Sequence, residues 1–207
     1  MTPAWHLRIR QAAALLLLAL ALDARPQDTR ALQVREAQRT DERTLAYFAQ
    51  FRAALTARFG ADPLLSMLVF DEQEGQALVH KSAGGPPEHV IFQTGKWIGT
   101  DGRELLPWAP AADPAIARFA LSGVSETFVR DKFRAYRAPP AKAADHLGPV
   151  KVGYFGDPFN RLVAQVQVAS MATFAFSVIA FDLRTGQALD IDAAIADTRA
   201  RRLRQVR

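Results

Sequence analysis

Few histidines are present for acid–base chemistry near neutral pH. Beyond the first residues, where His6 lies, the histidines are His80, His89 and His146, and there is no cysteine. Composition alone thus excludes a disulfide, a thiolate nucleophile and a thiolate metal site. His80 and His89 flank Gly84-Gly85-Pro86-Pro87, so strands paired across that loop would bring them together with Glu88. A metal site needs three or four ligands, and the spacing offers no further one. Ordinary strand-end histidines are the expectation. Two carboxylates, Asp71 and Asp182, occupy matched places in Phe70-Asp71-Glu72-Gln73-Glu74-Gly75-Gln76-Ala77-Leu78 and Phe181-Asp182-Leu183-Arg184-Thr185-Gly186-Gln187-Ala188-Leu189. A pseudo-twofold that brought them together would make an acid pair. An Asp at a strand end ahead of a Gly more simply accepts bonds from its own turn amides, and that turn role is expected for both. Metalloprotease, serine-hydrolase, phosphate-loop and calcium-loop motifs are absent. No metal and no cofactor is therefore expected. Trp97, Trp108 and Tyr154 stand near Gly or Pro turns, where exposed rings line ligand grooves, although core packing is the commoner fate of such rings. The expected place for a ligand site is a groove beside these three.

The elements that must position these residues change period along the chain. Residues 25–43 are polar and charge-mixed, which reads as a linker or a leading helix. Leu45, Phe48, Phe51, Leu55 and Phe59 then recur at helical spacing, with Thr40 or Asp41 able to cap the start and Gly60 to stop it. Leu64 to Phe70 is a continuous apolar run, Ala77 to Lys81 returns after a turn, and short strands follow at His89 to Gln93 and Lys96 to Ile98. Residues 113–192 repeat that order. Asp113-Pro114 opens a short helical face at Ile116, Phe119 and Ala120, and Ser125 starts a helix that runs to Tyr136. Val150 to Tyr154, Leu162 to Val168, Thr173 to Asp182 and Gln187 to Ile191 read as an antiparallel meander. Asp192 stands as the cap of a basic tail over residues 193–207. The expected architecture is α+β, an antiparallel β-sheet with helices packed on one face. Its domain, residues 44–192, is built from two helix-then-strands halves, 44–108 and 113–192, as an internal duplication would give.

The N-terminus reads as an address rather than as structure. His6, Arg8 and Arg10 precede Ala12 to Leu22, an unbroken Ala/Leu run shorter than the roughly 20 apolar residues of a spanning helix. Residues 1–24 are expected to be a signal peptide, cleaved after Ala21 or Ala24, which places the protein in the periplasm or outside the cell. The formal net charge is +5. Export makes nucleic acid a poor partner for this basicity. Arg199, Arg201, Arg202, Arg204 and Arg207 suit a helix C-terminus and offer weak contact with an anionic membrane surface. The function expected from these features is that of an exported bacterial envelope protein, a non-catalytic binding or accessory module for another envelope protein, a peptide or a small ligand. The alternatives are a periplasmic enzyme using carboxylate and histidine groups, or a protein held at the membrane surface by its tail.

The segment Phe181-Asp182-Leu183-Arg184-Thr185-Gly186-Gln187-Ala188-Leu189 resembles the closing hairpin of PepSY-type domains, which end in a strand, Asp-x-x-Thr-Gly and a return strand. Ala180 to Gly186 is also similar to the turn of quinoprotein propeller blades. The chain lacks an array of such blades and has too many helices for a propeller. The PepSY likeness covers one hairpin and the helix-before-strands order, and it implies no functional residue here.

Overall fold

The computed structural model describes residues 26–82, 85–100, 116–156, 159–193 and 196. The expected signal peptide, Trp108, the Asp113-Pro114 helix start and Arg199 to Arg207 lie outside them.

Helix α1 spans Pro26–Phe59. Pro26 suits a first helical position, where its missing N–H costs nothing, and neither Gly nor Pro interrupts the chain again before Gly60. Residues 26–43 are therefore the leading part of the same helix. Thr40 and Asp41, expected as caps, sit within it. Asp41 instead binds Arg137 of the second helix, with Nη2 donating to Oδ1 at 2.8 Å. Gly60 ends α1 in a left-handed conformation, φ 100°, which a glycine adopts without strain. Strands β1 (Leu64–Phe70), β2 (Glu74–His80), β3 (Glu88–Gln93) and β4 (Lys96–Ile98) form a meander. The short strand β5, Phe119–Ala120, pairs with Leu65 and Leu64. That pairing overrides the helical face expected at these two residues. A 3₁₀ turn at Leu121–Gly123 leads to α2, Glu126–Arg137, whose Ser125 cap accepts from the Phe128 amide. A second meander follows: β6 (His146–Phe155), β7 (Arg161–Ala169), β8 (Phe176–Asp182) and β9 (Ala188–Leu189).

Every pairing is antiparallel, and the sheet order is β4-β3-β2-β1-β6-β7-β8-β9. The order reads alike from both edges. Each half is a helix followed by four strands, and the first strands of the halves meet in the middle. The helices run antiparallel, since Asp41 meets Arg137 and Arg52 meets Glu126. The duplicated order expected from sequence is thus present, but its register differs from the matched motifs. Asp71 lies in the β1–β2 turn, whereas Asp182 lies in the β8–β9 turn, whose counterpart in the first half is Thr94-Gly95 between β3 and β4.

Both helices cover one face. Phe48 stacks on Phe70 with centroids 4.0 Å apart, and Phe51 lies 5.8 Å from Phe92. Gly75 is required beneath Phe51, because a Cβ there would stand 2.3 Å from the ring. From α2, Val129 and Phe133 join Val150, Val152, Ala164 and Val166. Each such valine or phenylalanine side chain contributes roughly 1.5–3 kcal/mol by leaving water. The opposite face is also out of water at Met67, Ile91 and Val163.

Candidate interaction surface

The carboxylates expected to serve turns do so. The Asp71 carboxylate accepts from the amides of Gln73 and Glu74 at 2.8 and 2.9 Å. Asp182 accepts from Arg184 and Thr185, both at 2.9 Å, and from Arg161 at 3.0 Å. The Thr185 amide, followed by Arg161 and Arg184, holds the Asp182 carboxyl below the usual range against the opposing pull of burial. The two turns are not neighbours. Three strand spacings of about 4.8 Å separate β1 from β8, and the turns lie at opposite ends of the sheet. An acid pair is therefore ruled out by topology. At the tail, Asp190 rather than Asp192 accepts from the Ala193 amide, at 2.8 Å.

His80 and His89 lie on neighbouring strands and on the face away from the helices, since Leu78 stands opposite His89. Burial, with Arg118 nearby, lowers the His80 pKa. His89 Nε2 and Gln76 Oε1 are 3.1 Å apart. Glu88 points to the other face, where it binds Arg58 at 2.7 Å and Lys81 at 2.6 Å. The three residues do not converge, and no group of three metal-ligating side chains occurs among the described residues.

Trp97 is half-buried against Phe92 (5.2 Å) and Phe59 (6.3 Å), with the Arg58 guanidinium 4.9 Å above its ring. Tyr154 is buried on β6, its hydroxyl 3.4 Å from Asn160 Oδ1. Four strand spacings, roughly 19 Å, lie between them, so one groove does not contain both. A shallow concavity of about 610 Å³ lies elsewhere, between Arg30, Ala31, Val34 and Arg35 of α1 and Pro140 and Ala143.

The most conspicuous exposed feature was not anticipated. Phe174, Phe176 and Val178 are 68%, 72% and 41% exposed, at and after the β7–β8 hairpin. Large apolar side chains exposed together along one segment mark contact surfaces. The hairpin is held from below by a buried network. Asp145, 3% exposed, accepts from the Met171 amide at 3.0 Å and from the Tyr136 hydroxyl at 2.8 Å. Burial and this carboxylate raise the Tyr136 pKa well above its ordinary value. Arg137 donates to the Asp145 carbonyl at 2.7 Å while bridging to Asp41. The hairpin thus stands on a fixed base. Its sequence signal was the absence of any charged residue between Arg161 and Asp182. Alternation over that run matched a half-buried strand, so nothing in it marked the alternate face as exposed.

No protein-family model, no curated protein and no solved structure matches this chain.

Proposed function

We propose that this chain is an exported protein of the bacterial envelope that acts as a non-catalytic binding or accessory module, engaging a protein or peptide through the β8 edge and the β7–β8 hairpin. The observation that carries this reading is the exposed set Phe174, Phe176 and Val178 beside a strand that β9 covers only at Ala180 and Phe181. An edge strand with apolar side chains on offer recruits another strand: main-chain bonds supply affinity, and alternate side chains supply selectivity. The turn and ion-pair duties of Asp71, Asp182 and Glu88 take the strongest carboxylate candidates away from catalysis. The Ala/Leu run behind Arg8 and Arg10 supports export, and the basic tail adds weak attraction to anionic surfaces.

The test is affinity capture from a bacterial envelope extract with the wild-type chain and with Phe176→Lys. A partner retained by the wild type and lost by the variant is expected. Equal retention by both would remove the β8 edge as the contact element. Export is checked separately, by N-terminal sequencing of the secreted chain, which should begin after Ala21 or Ala24.

A further inference from the structure

Resting on that reading of the β8 edge, we propose that its occupant is a second copy of this chain, with two β8 strands paired antiparallel about a twofold axis through Ser177.

The direction of the backbone groups fixes which positions are open. On the β9 side the Asp182 amide donates to the Gln187 carbonyl at 2.9 Å. On the β7 side the Ala175 carbonyl accepts from Ser170 at 2.9 Å, and the Leu183 amide donates to Leu162 at 3.0 Å. Alternate residues of a strand face alternate sides. Phe176, Val178 and Ala180 therefore turn their N–H and C=O away from β7. Ala180 meets Leu189 of β9; among the described residues, Phe176 and Val178 meet no strand.

Two open residues flanking one central residue make a self-complementary edge. In a sheet that continues across a twofold, opposed residues must share a face, so the axis passes through a residue rather than between two. With Ser177 on the axis, Phe176 stands opposite Val178 of the second copy, and Val178 opposite its Phe176. Both are bonded pairs, giving four intermolecular backbone hydrogen bonds. Each also sets an aromatic ring beside a β-branched side chain, a favourable cross-strand pair. Ser177 faces its own copy across a non-bonded pair, where the closer approach suits a small side chain.

The length of the slot matches as well. Because Leu189 of β9 already stands beside Ala180, an incoming strand must leave the edge before that level. In this register its last residue on the edge is Ala175, opposite Ile179, and the next, Phe174, is left-handed at φ 55° and turns its chain back toward its own β7. A long straight peptide would run into Leu189 instead. The edge also lacks the devices that keep edges apart. No Lys, Pro or inward charge lies between Phe174 and Phe181, where such residues normally block pairing. Phe174, Phe176 and Val178 together expose on the order of 300–400 Å² per copy, which is at the small end for protein interfaces. The association is accordingly weak and reversible.

The absence of cysteine gives a clean test. Non-bonded antiparallel pairs hold their Cα atoms about 4.5 Å apart, within the range a disulfide spans. Ser177→Cys in the full chain should form a covalent dimer under mild oxidation, at least about tenfold faster than Ile179→Cys, whose Cα atoms would be on the order of 13 Å apart along the strands. Sedimentation of the wild type should show a dimer fraction rising with concentration, and Val178→Lys should remain monomeric with an unchanged thermal midpoint. A wild type that stays monomeric, or equal crosslinking of Ser177→Cys and Ile179→Cys, overturns the second copy as occupant. If Phe176→Lys still loses its captured envelope partner in that case, the edge is a binding surface for a different protein.

Discussion

At one edge of the sheet, β4 covers Ile91 to Gln93, and the rest of β3 is flanked by charge: Glu88 is held by Arg58 and Lys81. Trp97 is folded down onto Phe92 and Phe59 beneath the Arg58 guanidinium. At the other edge, β9 covers two residues of β8, and Phe176 and Val178 are exposed within a run, Leu162 to Phe181, that carries no charged residue. The two halves share one topology, so topology does not explain the difference. Side chains do. The long helix of the first half reaches its edge and closes it, whereas the shorter α2 reaches the β8–β9 turn, where Lys132 donates to the Gly186 carbonyl at 2.6 Å. One edge is closed by packing and ion pairs, and the other keeps Phe176 and Val178 exposed.

The largest expected difference is between a buried and an exposed phenylalanine. Phe51→Ala empties a fully buried site against Gly75 and Phe92, and should cost about 3–5 kcal/mol in denaturant unfolding. Phe176→Ser should change stability by no more than about 0.5 kcal/mol, because its ring is already in water. A large loss at Phe176 in dilute solution would show that the second edge is part of the fold.

A smaller effect is expected at the closing turn of the open half. Asp182→Asn keeps the shape but removes the charge that Thr185, Arg161 and Arg184 satisfy, at a cost of about 1–3 kcal/mol. The folded-state pKa of Asp182 is depressed, so its stabilisation is complete above the ordinary Asp pKa of about 3.9 and is lost as pH falls through the lower folded value. Unfolding midpoints measured from pH 7 down to pH 2 should therefore show a wild-type advantage over Asp182→Asn that shrinks at the acid end. A constant difference would assign the effect to packing.

The smallest expected change lies at the sealed edge. Glu88→Ala breaks ion pairs with Arg58 and Lys81, whose side chains are 40% and 70% exposed, and should shift stability by about 0.2–1 kcal/mol. Its sharper consequence is on association. With that charge gone, Val90 and His89 border a less guarded strand, so any self-association gained by Glu88→Ala would show that charge keeps this edge closed.

The sequence carried the class, the antiparallel meanders and the helix-then-strands order, because period-2 and helical spacing leave direct marks. Asp71 and Asp182 were legible as turn residues, since an Asp before a Gly turn binds local amides whatever surrounds it. The equivalence of their two motifs was not. Shared turn chemistry looks the same in a β1–β2 turn and a β8–β9 turn, and only strand pairing tells them apart. Tertiary contacts also overrode local signals at Asp41, whose cap-like position is spent on Arg137, and at Phe119 and Ala120, drawn into pairing with β1. Trp97 and Tyr154 shared turn-proximal positions without sharing a groove, for proximity to a turn says nothing of which turn. The open edge was hidden for the same reason: an alternating strand reads alike whether its neighbour is present or missing.

If a second copy closes the open β8 positions Phe176 and Val178, their amides must slow with protein concentration, which hydrogen exchange followed residue by residue at low and high concentration reads out. Ser177 and Ile179, bonded to β7, should be protected throughout. Phe176 and Val178 should exchange freely in dilute solution and at least about tenfold more slowly when concentrated. Free exchange at Phe176 and Val178 at every concentration would contradict closure by a second copy.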